Sequence, residues 1–360
     1  MSGEDAAPFT AAVVGCGWMG AEILDRPRPV LPPGWLPMGH AQAIRATPGL
    51  ALLALCDSDR ARLDRAGDSL GVAARYTDHR ELLREARPDV VGVATRMPGR
   101  CRIIGDCIDA GVKAIHAEKP LGASLAECLT VLEPMRRRRI PFTFGTLRRF
   151  AGAYRRARAM VADGAIGTLR HITVEHGRDL LMWSHPHSVD LLLYFAGSFA
   201  VESAQATCAI PEGAVRGNVI DADPTLENAF VRFADGIAGA ITSGSGYDTR
   251  LDGSEGRLSI LADGARLVLE RRESDRSPYL APAEALAFEA AASPSARAFR
   301  ELVDALRTGA PTATPPDAVE AGQRLLMAIA LSAAEGGHPV RPSEVPQDFT
   351  VTSRFGDRTA

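Results

Sequence analysis

Long hydrophobic runs are missing from this 360-residue chain: none approaches the ~20 residues that a membrane-spanning helix requires, so no transmembrane segment is expected. Nor does the opening MSGEDAAPFT have the basic and then apolar character of a secretory leader. Cysteines are few and scattered. Cys16, Cys56, Cys101, Cys107, Cys128 and Cys208 include no close C-x-x-C pair, which argues against a disulfide framework and for reduced, buried thiols in a cytoplasmic protein. No set of His, Cys and acidic residues has the spacing of a metal site, and no metal is expected. Charge of one sign is not in excess, with 41 Lys and Arg against 44 Asp and Glu and a net charge of −3. Neither nucleic acid nor an anionic membrane is therefore an expected partner. The one basic run, Arg136 to Arg139, falls at the end of an expected helix, where cations complement the macrodipole. Internal repeats are absent.

What is there is a globular composition, 46% hydrophobic and 24% charged, in a chain long enough for two domains. Through the first 145 or so residues, apolar runs alternate with amphipathic stretches, the pattern of βαβ units and a parallel sheet. The expected strands are Ala11–Val14, Leu50–Cys56, Val90–Ala94, Ala114–Ala117 and Pro141–Phe144. After Arg149 the strands lengthen. Asp235-Gly236 and Asp263-Gly264 read as hairpin turns, so the second domain is expected to hold an antiparallel or mixed sheet, with helices near 186–196, 295–308 and 316–334 on it. The expected fold class is thus α/β: a doubly wound parallel Rossmann domain over residues 1–146, a domain on a large, mostly antiparallel open sheet over 147–345, and a tail from 346 to 360.

Two strings carry chemistry. AAVVGCGWMG at 11–20 holds Gly15, Gly17 and Gly20 in G-x-G-x-x-G spacing after an apolar strand, with Trp18 and Met19 between the last two. Gly15 permits the tight turn, Gly17 lets a pyrophosphate approach bare backbone, and Gly20 lets the next helix pack closely. An acidic residue, Asp57, ends the following strand. Its carboxylate is expected to accept hydrogen bonds from the adenosine ribose and to repel a 2′-phosphate, which favours NAD over NADP; capping a helix is its ordinary alternative. From Gly20 to Asp57 is 37 residues against the usual ~20, and residues 21–38 contain five prolines, so a Pro-rich insertion interrupts the first helix, which resumes near His40. The insertion reads as a surface loop or, alternatively, as a lid or subunit contact carried by Trp35. The second string, HAEKPLG at 116–122, places Lys119 at the carboxyl end of a parallel strand, where ligands of open α/β sheets bind.

GCGWMG, Asp57, VATRMPGR, AEKPLG, RRFAGAYRRARAMVADGAIGTLRHI and the closing DALRTGAPTATPPDAVEAGQRLLMAIALSAAEGGHPVRP together resemble the Gfo/Idh/MocA family, the glucose-fructose oxidoreductase and inositol dehydrogenase group. The resemblance runs from about residue 11 to 343. It implies a Rossmann domain, a second domain whose sheet makes homodimer or homotetramer contacts, and redox chemistry at a secondary alcohol of a sugar, cyclitol or related polyol. It also implies that Lys119 touches nicotinamide ribose and substrate, that Glu118 lies by the cofactor, and that Thr95 and its neighbour Arg96 lie near the dinucleotide. This chain departs from the family pattern at Arg96, where proline is usual, and at Arg100, where histidine is usual. In MWSHPHSVDLLLYFAG, His187 and Asp190 match the family's histidine and second aspartate, but Trp183 stands where its first aspartate does.

Read from its own residues, that segment still looks catalytic. Pro186 suits the first position of a helix, which puts His187 in the first turn, where the positive helix end favours the neutral imidazole needed to accept a hydroxyl proton. Asp190, one turn on, is placed to hold one tautomer, and His185 is the nearest substitute for the missing acid. Arg149 reads either as a substrate or cofactor contact or as a solvated helix-entry arginine, and Trp183 as a substrate contact. The expected function is an NAD(P)-dependent dehydrogenase or ketoreductase acting on a polyol or sugar. The rivals are an NAD-using glycosidase on the same fold and a non-catalytic dinucleotide-binding regulator.

Overall fold

The computed structural model describes residues 7–22, 30–274, 276–289 and 292–352. The chain divides into two units: among the described residues, the first covers the chain up to Gly122, Glu127–Phe150 and Ala292–Val319, and the second covers most of the remainder.

In the first unit six strands, β1 (Phe9–Val14), β2 (Leu50–Cys56), β3 (Ala74–Tyr76), β4 (Val90–Val93), β5 (Ala114–Ala117) and β6 (Phe142–Phe144), pair in parallel in the order 3-2-1-4-5-6. That order is the doubly wound one, with its reversal between β1 and β4. The strands are continuous apolar runs because both faces are covered. Helices α1 (Trp18–Ala21), α2 (His40–Arg45), α3 (Arg60–Leu70), α4 (His79–Ala86), α5 (Arg100–Asp109) and α6 (Leu125–Arg138) supply the crossovers. Asp59 and Asp78 cap α3 and α4 by accepting the Arg62 and Arg80 amides. A short 3₁₀ helix (Leu147–Phe150) follows β6.

Among the described residues, the crossover from β1 to β2 holds the short α1 and α2, which cover little of one sheet face. A later helix makes up the cover: α10 (Pro294–Thr308) puts Ala296, Phe299, Leu302 and Val303 among Ala11, Val13, Ala41, Ile44, Val90 and Ala114. Ser293 caps it, Pro294 opens it and Gly309 ends it in the left-handed conformation. The sequence pattern placed this helix on the second sheet; the apolar face left open by the broken first helix is what draws it into the first unit.

The insertion is pinned at its described end. The Glu22 carboxylate accepts the Met38 and Gly39 amides at 3.0 and 3.2 Å, and Gln42 donates to the Ala21 carbonyl at 2.9 Å. Residues 23–29 lie outside the described part. Trp35 is 6% exposed with the Arg148 guanidinium 5.6 Å from its ring, so its side chain packs within the first unit.

The second unit opens with α7 (Gly152–Ala162), β7 (Leu169–Glu175), β8 (Asp179–Leu180), α8 (Leu181–Ser184) and α9 (Pro186–Ala196). It continues through β9 (Val201–Ala209), β10 (Val215–Arg216), β11 (Val219–Ile220), β12 (Thr225–Phe233), β13 (Ala238–Thr242), β14 (Asp248–Gly253), β15 (Gly256–Leu261), β16 (Arg266–Arg271) and β17 (Glu284–Leu286). Nine of these strands form one sheet, antiparallel except for the β7–β13 pair. Asp235-Gly236 and Asp263-Gly264 turn the β12–β13 and β15–β16 hairpins, with Gly236 and Gly264 at positive φ. Helices α7 and α9 cover the sheet, and α11 (Pro316–Ala334) is the last helix among the described residues. The expected tail is in part a strand: β18 (Thr350–Val351) runs parallel to β11, held by the buried Phe349 and Val351, while residues 353–360 lie outside the described part.

Candidate functional site

At the end of β1 each glycine meets a different constraint. Gly15 has φ +97°, and a Cβ there would lie 2.7 Å from the Ala94 carbonyl carbon. A Cβ on Gly20 would overlap the Gly15 carbonyl oxygen, so only glycine lets α1 start this close to the strand. Around Gly17 nothing lies within 4 Å of the same position. That open backbone is the space a pyrophosphate needs. Trp18 and Met19, half-buried, form the first turn of α1. Asp57 is buried beside the loop, its Oδ2 accepting the Cys16 amide at 2.7 Å and its Oδ1 the Asp59 amide at 2.8 Å, with Arg62 Nη1 3.4 Å away. The carboxylate thus fastens the glycine loop to the end of β2.

The loops after β4 and β5 are held by one side chain. Arg100, buried in the first turn of α5, donates Nη2 to the Thr95 carbonyl and Nη1 to the Pro120 carbonyl and, at 2.7 Å, to the Glu118 carbonyl. Burial pushes its pKa down to about 10, against the pull of Glu118, so the cation persists at neutral pH. Thr95 Oγ1 is buried with no hydrogen-bond partner, while Arg96 is exposed. Lys119, half-buried, follows Glu118 and precedes Pro120 across a cis peptide.

Glu118 is nearly as deeply buried as the strand it follows. A Cβ on Gly145 would sit 2.9 Å from its carboxylate, so the end of β6 makes room for it. Burial opposes its ionisation, but His40, 3.4 Å away, together with Lys119 and His116 holds the carboxyl down at about 2. His116 is buried beneath, its Nδ1 2.9 Å from Thr143 Oγ1, and burial followed by the charge of His40 pushes it down to about 3. The His40, His116 and Glu118 donor atoms lie within 4.8 Å of one another. With Phe299 against both rings, His40 and His116 pack in place beside Glu118.

In the second unit, Pro186 is the first residue of α9, as its ring requires, and His187 stands half-buried in the first turn. Asp190 follows one turn on, and Trp183 lies half-buried in α8. His185 joins the two helices and is fully buried. Its Nδ1 is 3.0 Å from Ser188 Oγ, which is 3.2 Å from His176 Nδ1. Burial pushes His185 down to about 4 against the charge of Asp179.

Gly15, Gly17, Trp18, Met19, Gly20, Asp57, Thr95, Glu118 and Lys119 therefore gather at the carboxyl ends of the first sheet's strands, and His185, His187 and Asp190 on one helical turn of the second unit. Arg149 is buried, donating to the Ala313 carbonyl at 3.1 Å, which rules out the solvated helix-entry arginine. Sequence reasoning missed the clamp of Arg100, the His40–His116 support and the His176–Ser188 link, because each depends on residues distant in sequence. One compositional signal was there to be used: Lys119 is one of only two lysines among 41 basic residues. All six cysteines are free thiols, and burial holds Cys16 and Cys56 up at about 12.

A 3-2-1-4-5-6 parallel sheet with a glycine turn and an acidic end to its second strand defines a domain of the dinucleotide-binding class. The sequence profile of the oxidoreductase family with an NAD-binding Rossmann fold, Gfo/Idh/MocA, matches residues 34–145. The match begins within the Pro-rich insertion, which separates the glycine loop from it. D-Apiose dehydrogenase of Paraburkholderia graminis is 29% identical over 160 residues, 44% of this chain and 38% of that protein. Myo-inositol 2-dehydrogenase of Thermotoga maritima is 28% identical over 266 residues, 67% of this chain and 77% of that one. Among solved structures, a levoglucosan dehydrogenase in complex with NADH and L-sorbose superposes with a TM-score of 0.76 over 95% of this chain and all of its own, at 17% identity. Over residues 34–145 the chain is thus similar to the Gfo/Idh/MocA oxidoreductases.

Proposed function

We propose that the protein is an NAD-dependent dehydrogenase acting on a secondary alcohol of a sugar, cyclitol or related polyol, or the ketoreductase running the reverse reaction, with NADP the poorer cofactor. The observation that carries this reading is Lys119. In a chain with only two lysines among 41 basic residues, one stands at the end of β5, on a loop whose carbonyls are held by Arg100 and whose neighbouring Glu118 meets His40. An ammonium is a compact donor that can follow a small shift of charge, which a planar guanidinium cannot replace. The bare backbone at Gly17 and the unpartnered, buried Thr95 hydroxyl fit a dinucleotide.

Bound nicotinamide supplies the hydride acceptor. Lys119 orients the substrate hydroxyl and stabilises the oxygen as its proton leaves. His187 accepts that proton, with Asp190 holding its tautomer and His185 taking the part of the aspartate that Trp183 replaces; Trp183 and Arg149 serve the substrate side. The carboxylate of Asp57 disfavours a 2′-phosphate. We place the protein in the cytoplasm as a homodimer or homotetramer, a state that light scattering on the purified protein tests directly.

Absorbance at 340 nm with NAD and a panel of sugars, cyclitols and sugar acids tests the reading. NADH is expected in proportion to substrate consumed, and Lys119→Ala and His187→Ala are each expected to lower turnover at least about a hundredfold while NAD still binds. Glycoside cleavage without NADH release would assign the fold to the glycosidase instead.

A further inference from the structure

The β4–β5 ladder ends at Val93 and Ala117, and beyond it both chains enter loops whose carbonyls the ladder no longer pairs. Three of those carbonyls, on Thr95, Glu118 and Pro120, turn to the Arg100 guanidinium. Nη1 directs its two hydrogens to the second loop, at the residues immediately before and after Lys119, and Nη2 reaches the first loop. Arg100 opens α5 at 3% exposure, so water does not compete for these bonds. The Glu118 side chain adds a further tie, its Oε2 accepting the Lys119 amide at 3.2 Å. Lys119 is thus flanked by held backbone on both sides. A guanidinium spreads its donors over separate nitrogens in one rigid plane, and that spread is what spans two loops. An ammonium has as many hydrogens as this clamp uses, but all on one nitrogen.

We propose that Arg100 is a positioning residue: it ties the loop after β4 to the loop after β5 and so sets where the Lys119 ammonium stands relative to a dinucleotide lying against Thr95. The inference rests on the proposed roles of Lys119 and Thr95. Arg100 acts on the reaction through Lys119, by geometry, and a misplacement of about 1 Å is enough to cost on the order of a hundredfold in rate. A purely structural Arg100 would behave differently. Its substitution would lower the number of folded molecules and leave each folded one as active as before, whether or not Lys119 is present.

Nitrogen-15 NMR of arginine-labelled protein tests the clamp without turnover. Free guanidinium groups rotate and exchange their Nη hydrogens rapidly with water; the wild type is expected to show resolved, exchange-protected Nη–H signals that Arg100→Lys and Arg100→Gln both remove. A double-mutant cycle in the NAD-reduction assay tests the positioning, with turnover counted per NAD-binding site by calorimetry so that loss of folded protein does not enter. Arg100→Lys, which keeps the charge, is expected to lower kcat at least about tenfold with the KM for NAD within about threefold, and to change kcat less than about twofold in a Lys119→Ala background, where the group it positions is gone. An equal loss in both backgrounds, a kcat per site unaltered by Arg100→Lys, or Arg100 Nη–H signals without protection would each overturn the proposal. An absence of NADH in the wild type would overturn the dehydrogenase reading alone, since the protected signals decide by themselves whether Arg100 ties the two loops.

Discussion

The three glycines of the first loop have three different reasons to be glycine, and substitution separates them. Gly20→Ala drives a Cβ into the Gly15 carbonyl and is expected to destabilise the fold by several kcal/mol, read as a lowered urea midpoint. Gly17→Ala meets no atom within 4 Å and is expected to leave that midpoint within about 1 kcal/mol of wild type while weakening NAD binding at least tenfold by calorimetry. Unweakened NAD binding in Gly17→Ala would move the pyrophosphate elsewhere. These roles were legible because they follow from spacing alone. Gly145 was not legible: its need to be small comes from Glu118, which arrives from another strand.

At the scale of the element, the strand ends were readable and their supports were not. Leu50–Cys56, Ala114–Ala117 and the start of α9 at Pro186 are set by local pattern, and they fall where the sequence places them. β3 (Ala74–Tyr76) was missed because it is short and half-buried, with no apolar run to announce it. Arg100 shows why a departure from a family pattern is hard to interpret in advance: the guanidinium fork reaches three carbonyls on two loops, which only the folded backbone brings within range. Arg100→Ala is expected to cost about 3–5 kcal/mol in the urea midpoint, because buried carbonyls are left unpaired, and Arg100→Lys is expected to recover only part of it. Helix α10 was readable as a helix but not as part of the first unit. Phe299→Ala is expected to cost about 3–5 kcal/mol, and a loss below about 1 kcal/mol would contradict its place in that core.

For the molecule as a whole, buried neutral histidines predict how stability depends on acidity. His116 and His185 are held down at about 3 and about 4, from an ordinary 6.5. As pH falls below 6.5 the unfolded chain takes up protons that the folded one refuses, so stability is full above that pH and declines toward pH 4. Glu118, held at about 2, keeps its contribution through this range and loses it only below its unfolded value of 4.5. His116→Leu is expected to flatten the decline of the urea midpoint between pH 6.5 and 4; a variant that declines as steeply as wild type would contradict it. The α/β class and the dinucleotide motif were legible in the sequence because pattern and spacing are local. The surroundings of His185 were not, because Asp179 comes from a strand and Ser188 from the helix, and only the fold brings them together.

The central claim is that Lys119, on its clamped loop, serves hydride transfer between a polyol and NAD. The most direct measurement is NADH formation at 340 nm by wild type and Lys119→Ala across sugars and cyclitols, with NAD affinity measured alongside. The account predicts NADH in proportion to polyol oxidised by the wild type, with at least about a hundredfold less turnover in Lys119→Ala while NAD still binds. Wild-type turnover preserved in Lys119→Ala, or tight NAD binding with no NADH from any polyol, would contradict it.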